Sequence, residues 1–463
     1  MNFLFLDFLL FTVTFAFPGG RFDQSSDYGY FWHITDFHYD PTYNSSSLSC
    51  EKNESGAQMG LFGNIWCDPP WTLVESSVQA MKSIKPDVDF LLWTGDSVLH
   101  ADVAKINHTF NGIILDNATE LFKTTFPDTP VYASFGNHDS YPMDQFKPRN
   151  TALYNETLAR WRTWIDDSSQ DENFRKGGFY TVKTAKNIRI VALNTNIYYK
   201  DNKAVHAEGD PAGQFDWLTQ TLEAARQKKE KVIITGHIAP GFQLNQETEL
   251  YTHQNGRLVK ILKQYYDVIS AMHFGHEHAD VLKLLRNGDG VPLIPVFLAP
   301  SVTPITLGPL HNPGIRLVKY DRVTGTHIDI SQYYLDLHAA NKAGIARWKL
   351  EYNTSGAYGL PDLSPEALDN LIDKMKDPAS HEFKRYWKYY VVSPADEFIE
   401  DCDTLCHATV ICGMTEFIQA DFVNCFAEMI ISLSVRVTYC MPLTWSFSFV
   451  ITVSFYVIFQ LKK

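Results

Sequence analysis

Five short motifs constrain this chain more than any other feature: Asp36-Phe37-His38, Gly95-Asp96, Gly136-Asn137-His138-Asp139, Gly236-His237 and Gly275-His276-Glu277-His278. Each follows a short apolar run, at residues 30–35, 89–94, 131–135, 231–235 and 268–274, and similar runs occupy 188–193 and 293–298. Runs this short, rich in Val, Ile and aromatic residues, read as buried strands. Amphipathic stretches at 71–84, 151–166, 213–228 and 254–266 read as helices between them, with Pro86 just past the first. Strands alternating with helices predict an α/β fold. The motifs then fall at strand-to-loop transitions, where such folds place their sites.

The five motifs share one chemistry. Imidazole suits Zn, Fe or Mn, carboxylate can bridge two ions, and an Asn amide adds a neutral oxygen. Asp36 and His38 are two residues apart, as are His276 and His278, so in extended chain each pair projects to one side, with Glu277 on the other. Asp36, His38, Asp96, Asn137, His237, His276 and His278 are therefore candidate metal ligands. Two divalent ions carry four positive charges; two Asp carboxylates and a hydroxide cancel three, leaving about one, which matches a phosphodiester. Two ions about 3.5–4 Å apart can clamp phosphoryl oxygens and acidify water. His100 and His138 are candidate catalytic groups that bind the phosphate or protonate the leaving oxygen, and Asp139 is placed to orient His138.

The rest of the sequence bounds the setting. With 463 residues, 45% hydrophobic and 20% charged, the chain can bury a large core. A formal net charge of −13 argues against a nucleic-acid duplex as partner. Residues 1–17 read as a signal peptide, with a buried first strand as the alternative. Sequons stand at Asn44, Asn53, Asn107, Asn117, Asn155 and Asn353, as in a glycosylated protein of the secretory route. Cys50 and Cys67 flank a polar loop at 41–70, and Cys402, Cys406, Cys412 and Cys425 cluster near the end, which suggests one bridge in the loop and two in a small C-terminal module. The spacing of the last four does not match paired zinc knuckles. Residues 340–400 read as polar and helical. Residues 443–461 are apolar until two closing lysines and read as a membrane segment or an anchor signal, with a buried strand pair as the alternative. Cys440 beside them is left over.

The motifs in this order resemble the calcineurin-like metallophosphoesterase superfamily. FWHITDFHYDPTY, FLLWTGDS, FGNHDSYPMDQF, NTNIYY, GGFY and NPGIR bring residues 28–426 nearer to its acid sphingomyelinase-like phosphodiesterases, the type 3a branch first and type 3b next. The resemblance implies a four-layer αββα sandwich over 28–335, a small helical, disulfide-rich domain over 336–430, and two Zn2+ ions. One zinc would be held by Asp36, His38, Asp96 and His278. The other would be held by Asp96, Asn137, His237 and His276. His100 and His138 match the family's phosphate-contacting histidines. The implied disulfides are Cys50–Cys67, Cys402–Cys406 and Cys412–Cys425. Iron-binding relatives carry Tyr three residues after the bridging Asp; Leu99 stands there, so zinc is favoured. The stretch before Tyr30 leaves no room for a lipid-extracting saposin domain, so the expected substrates are small phosphodiesters or nucleotides: ATP, CDP-alcohols and cyclic dinucleotides. A sphingomyelin or phospholipid phosphodiesterase and a non-catalytic surface protein are the alternatives. Tyr198, Tyr199 and Phe242 are candidate pocket walls. The expected enzyme is a monomer, secreted or lysosomal, with membrane association through the tail as a further option.

Overall fold

The computed structural model describes residues 27–46, 50, 59–149, 151–205, 209–305, 310–394, 399 and 401–439. The signal reading at 1–17, the apolar tail at 443–461, Cys440 and the sequon at Asn53 lie outside the described residues. Among the described residues, no helix is long and apolar enough to cross a membrane.

The strands are β1 (Tyr28–Ile34), β2 (Phe90–Trp93), β3 (Val131–Ala133), β4 (Tyr180–Lys183), β5 (Ile188–Ala192), β6 (Lys231–Thr235), β7 (Ile269–Phe274), β8 (Val281–Arg286), β9 (Pro292–Leu298), β10 (Gly314–Asp321), β11 (His327–Leu335) and β12 (Trp348–Asn353). They form two six-stranded sheets, ordered β12-β11-β10-β1-β2-β3 and β4-β5-β6-β7-β9-β8. β1, β2 and β3 run parallel, and β10 lies antiparallel on the other side of β1. In the second sheet β5, β6, β7 and β9 run parallel, with β4 and β8 as antiparallel edges. The uninterrupted apolar runs of the sequence are these parallel strands. All four residues of β2 are buried, as expected where both faces of a sheet are covered.

The sheets pack face to face. Phe31 and His33 of β1 meet His273 of β7 edge-on, with ring centroids 5.2 and 5.1 Å apart. Helices cover the outer faces and complete four layers. Trp93 of β2 packs against Phe122 of helix His108–Thr125 and Trp161 of helix Ala152–Ile165. Helix Trp71–Ile84 buries one stripe, Leu73, Val74, Ser77, Val78 and Met81. On the second sheet, helix Gln214–Gln227 contacts β6, helix Pro365–Met375 contacts β9, and helix Thr404–Thr415 contacts β8.

Two expectations are adjusted. Residues 340–400 are not helical throughout, because β12 lies there and pairs with β11. Helix His108–Thr125, which the sequence reading passed over, starts at Asn107, whose side chain accepts from Phe110 N–H. The cysteines are joined as Cys50–Cys67, Cys402–Cys406 and Cys412–Cys425. Of the described sequon residues, Asn44, Asn107, Asn117 and Asn155 are exposed, and half-buried Asn353 caps a short helix.

Candidate metal centre

The carboxyl ends of β1, β2 and β3 in one sheet and β6 and β7 in the other open onto the same rim. The five motifs follow these five strands, so two sheets deliver one set of side chains. Backbone hydrogen bonds lace their loops together. Asp36 N–H donates to Gly95 C=O at 2.9 Å, His38 N–H to Asp96 C=O at 3.0 Å, and Gly275 N–H to His237 C=O at 2.9 Å. Two glycines make this approach possible. A Cβ on Gly136 would strike Asp96, and one on Gly275 would strike Thr35 and Asp36.

The local backbone differs from the extended chain that the sequence reading assumed. Asp36, His38, Asp96, His276 and His278 all have positive φ, at 52°, 45°, 55°, 71° and 57°. Asp and His are among the types that tolerate this left-handed region, which is costly for most other side chains. The pairs still converge, but through left-handed turns. The intervening residues point away: Phe37 packs against Trp93 and Phe122 in the core, and Glu277 pairs with Lys283.

The donor atoms fall into two sets. In the first, Nε2 of His38 lies 3.3 Å from Asp96 Oδ2, 3.2 Å from His278 Nε2 and 3.8 Å from Asp36 Oδ1, and His278 Nε2 lies 3.5 Å from Asp36 Oδ1. In the second, His237 Nε2 lies 3.1 Å from Asp96 Oδ2 and 3.0 Å from Asn137 Oδ1, which is 3.1 Å from His276 Nδ1. A tetrahedral ion with ligand bonds of 2.0–2.1 Å needs its donors about 3.3 Å apart. The distances above bracket that spacing, and Asp96 Oδ2 lies beside both sets. The donor set fits two divalent ions.

The outward nitrogens support the same reading. His38 Nδ1–H donates to Val98 C=O at 2.9 Å, His237 Nδ1–H to Thr94 C=O at 2.7 Å, and His278 Nδ1–H to Ile305 C=O at 2.6 Å. Each bond fixes the ring so that the Nε2 lone pair faces inward, as in metal-binding histidines. His276 is turned round. Its Nδ1 faces the cluster, and its Nε2 faces Glu249 at 4.0 Å. Asn137 donates its amide N–H to Asp144 at 2.8 Å, which aims Oδ1 inward.

Electrostatics ask for positive charge here. Burial would raise the Asp36 carboxyl, but hydrogen bonds from His278 and His38 hold it well below the usual range. Asp96 is likewise held down, against burial, by His237 and His138. Burial opposes a proton on His38, yet Asp36 and Asp96 lift its imidazole to about 10. His237 is lifted to about 9 in the same way, chiefly by Asp96.

His100 and His138 stand beside the first set. His100 stacks on His38 with centroids 3.8 Å apart, and His138 meets both rings edge-on. Nδ1 and Nε2 atoms of His38, His100 and His138 come close enough to form a third candidate group. Burial pushes the His138 imidazole well down. Asp139 does not orient His138. Its carboxylate instead accepts from the N–H groups of Gly136, Asp96 and Ser97, clipping two ligand loops together. The partner of His100 is Asp68, which the sequence reading missed. Asp68 takes the His100 Nδ1–H at 2.8 Å and its backbone N–H at 2.6 Å. It follows Cys67 directly, so the first disulfide braces its loop. Asp144 lies within the FGNHDSYPMDQF stretch without drawing notice as a partner of Asn137, whereas Asp68 and Glu249 carry no motif, and only the position of Asp68 beside a cysteine hinted at a fixed backbone.

Of the three candidate pocket walls, only Tyr199 borders the site, with its ring edge-on to His276 at 5.5 Å. Tyr198 is buried against Phe215, and Phe242 against Phe422, so both are core.

Residues 29–280 match the family described as calcineurin-like phosphoesterase, and residues 291–432 match the acid sphingomyelin phosphodiesterase C-terminal region. The chain is 36% identical over 412 residues to the cyclic GMP-AMP phosphodiesterase SMPDL3A of Bos taurus, covering 86% of this chain and 91% of that protein. It is 35% identical over 404 residues to the acid sphingomyelinase-like phosphodiesterase 3b of Homo sapiens, covering 84% and 88%. A more distant relative is the sphingomyelin phosphodiesterase A of Dictyostelium discoideum, 28% identical over 418 residues, covering 88% and 69%. The sandwich, the two-sheet rim and these matches together place the chain in the acid sphingomyelinase-like branch of the calcineurin-like phosphoesterases, as a phosphoric diester hydrolase.

Proposed function

We propose that the chain hydrolyses nucleotide-type phosphodiesters and phosphoanhydrides at a two-zinc centre held by Asp36, His38, Asp96, Asn137, His237, His276 and His278. The observation that carries this reading is the pair of four-donor sets that share Asp96 Oδ2. Four imidazoles favour zinc over the all-oxygen ions. Leu99, where an iron-binding tyrosine would stand, supports the same choice. Two such ions, when bound, neutralise phosphoryl charge and acidify water for attack on phosphorus.

The remaining work falls to protein groups. His138 is neutral and buried, and it shapes the phosphate side of the site. His100 is partly exposed at the mouth, with a side chain 18% accessible. Its Nδ1–H is held by Asp68, which burial would push up but which His100 keeps well below the usual carboxylate range. That bond steadies the ring and leaves Nε2 as the nitrogen that would pass a proton to the leaving oxygen. We assign His100 as the general acid, Asp68 as its orienting group, and His138 as a phosphate contact.

For substrate we favour nucleotides, including cyclic dinucleotides, because the SMPDL3A relatives of Bos taurus and Homo sapiens are named cyclic GMP-AMP phosphodiesterases. Export to the cell exterior or to a lysosome fits three disulfides and exposed sequons. The sandwich, whose first sheet extends through β12, and the cysteine-stapled helices near the end of the chain would act as one enzyme. The test is hydrolysis by the purified full chain of cyclic GMP-AMP, ATP, CDP-choline and micellar sphingomyelin, at acidic and neutral pH. Cleavage of the nucleotides is expected. Release of phosphocholine from sphingomyelin with no nucleotide cleaved would overturn the substrate assignment.

A further inference from the structure

Lys283 is an unexpected residue to find in the interior. It lies on β8 with its side chain 2% accessible, beneath helix Thr404–Thr415, which carries a cysteine of each of the last two disulfides. Its ammonium donates to Glu277 Oε1 at 2.9 Å and to Phe242 C=O at 2.9 Å. Glu277, with a side chain 8% accessible, is the residue between the ligands His276 and His278. Phe242 lies in the loop that leaves His237. One buried ammonium therefore joins two loops that hold three of the four candidate histidine ligands.

The surroundings make this a fixed anchor. Phe242 stacks on Phe422 at 4.3 Å beside the Cys412–Cys425 bridge. Asn255 accepts from Gly241 N–H at 3.0 Å and donates to Phe417 C=O at 2.7 Å. Gln246 donates to Thr409 Oγ1 at 3.1 Å. Helices Thr404–Thr415 and Gln419–Tyr439 thus seat the loop after His237, and Lys283 carries that seat to the loop of His276 and His278. Those two ligands hold left-handed backbone, which needs outside support to persist. A buried ion pair is weak evidence for stability in itself, so its value here must lie in geometry.

We propose that Lys283 is a positioning residue that, through Glu277 and Phe242 C=O, sets the His276–His278 ligand loop and couples the C-terminal helical pair to the metal centre. The inference rests on the two-ion reading above. It concerns the apo geometry of the ligands, so it is tested by metal affinity as well as by rate.

The experiment is zinc affinity by chelator competition, with melting of the metal-free protein alongside, for the parent, Lys283→Met, Glu277→Gln and Lys283→Met/Glu277→Met. Lys283→Met leaves Glu277 buried and unpaired, and zinc binding should weaken by about 10–100-fold. Glu277→Gln should weaken it less, because Phe242 C=O still holds the ammonium. The double variant replaces the pair by apolar side chains, so it should melt like the parent yet still bind zinc about 10-fold more weakly or worse. If Lys283→Met does not fold, the double variant and Glu277→Gln carry the test. Parental zinc affinity in the double variant would overturn the positioning role. A parent that takes up no zinc would overturn the metal reading and this inference with it, whereas a parent with two ions and unaffected variants would overturn this inference alone.

Discussion

Two groups of histidines lie in the same sandwich, a few residues apart on the same strands, and their chemistry diverges. His33 on β1 precedes Asp36 and His38, and His273 on β7 precedes His276 and His278. With His327 of β11, His33 and His273 form a cluster between the sheets. His273 and His327 bring their Nε2 atoms to 2.7 Å, and His33 Nε2 meets Thr94 Oγ1 at 3.1 Å. Burial pushes His33 and His273 well down, and His327 down to about 4. At the rim, Asp36 and Asp96 lift His38 and His237 to about 10 and 9. Burial is the same in both places. What separates a core cluster from a candidate metal centre is the pair of carboxylates, together with the carbonyls that turn three Nε2 lone pairs inward.

That contrast is broken most directly at Asp96. Asp96→Asn keeps a side chain that tolerates left-handed backbone but removes the shared charge. Bound zinc is expected to drop from about two ions per chain to below one, with hydrolysis lost, measured by elemental analysis and turnover. In the metal-free variant, His38 and His237 should then titrate at lower pH, toward the behaviour of the core cluster.

The next effect is catalytic. His100→Ala should retain both ions and lose about 10²–10⁴ in turnover. Asp68→Asn should lose less, about 10–10². A His100→Ala enzyme of parental rate would remove the ring from the reaction.

The pH dependence sharpens the contrast further. The rim histidines have raised pKa values, so their contribution to metal-free stability is full below about 6.5 and is lost as pH rises through about 9 to 10. The core histidines have lowered values, so theirs is present above about 6.5 and is lost as pH falls toward about 4. Metal-free protein should lose stability at both ends, while zinc-loaded protein keeps only the acid limb. Zinc binding near neutral pH should release about two protons from His38 and His237, and about one more as bound water ionises, read by calorimetry in buffers of different ionisation enthalpy.

The smallest effect is expected from His327→Phe, which keeps the ring that stacks on Phe297 and removes the bond to His273. It should cost about 1 kcal/mol in thermal unfolding, with zinc content unchanged. A loss of zinc would show that the core cluster supports the rim.

Much of this contrast was legible in the residues. Ligating types at the ends of buried runs carry their own signal, and each of the five motifs reaches the rim. The strands that escaped notice, β4, β8 and β10 to β12, pair antiparallel, and β11 and β12 are partly exposed, so their apolar pattern is diluted by polar positions such as Asp329, Gln332 and Glu351. The groups that orient the site were the least visible. Asp68 reaches His100 across 32 residues, and Glu277 meets Lys283 six residues on, in β8, and neither contact has a spacing rule. The left-handed turns at Asp36, His38, His276 and His278 were hidden as well, because alternation in extended chain gives the same sidedness for another reason.

In the proposed centre two ions share Asp96, and His100, held by Asp68, stands outside both donor sets. Anomalous X-ray scattering at the zinc edge from crystals of the zinc-loaded protein tests it directly. Two peaks about 3.5–4 Å apart, on either side of Asp96 Oδ2, are expected. A single peak, or an ion held among His38, His100 and His138, would contradict it.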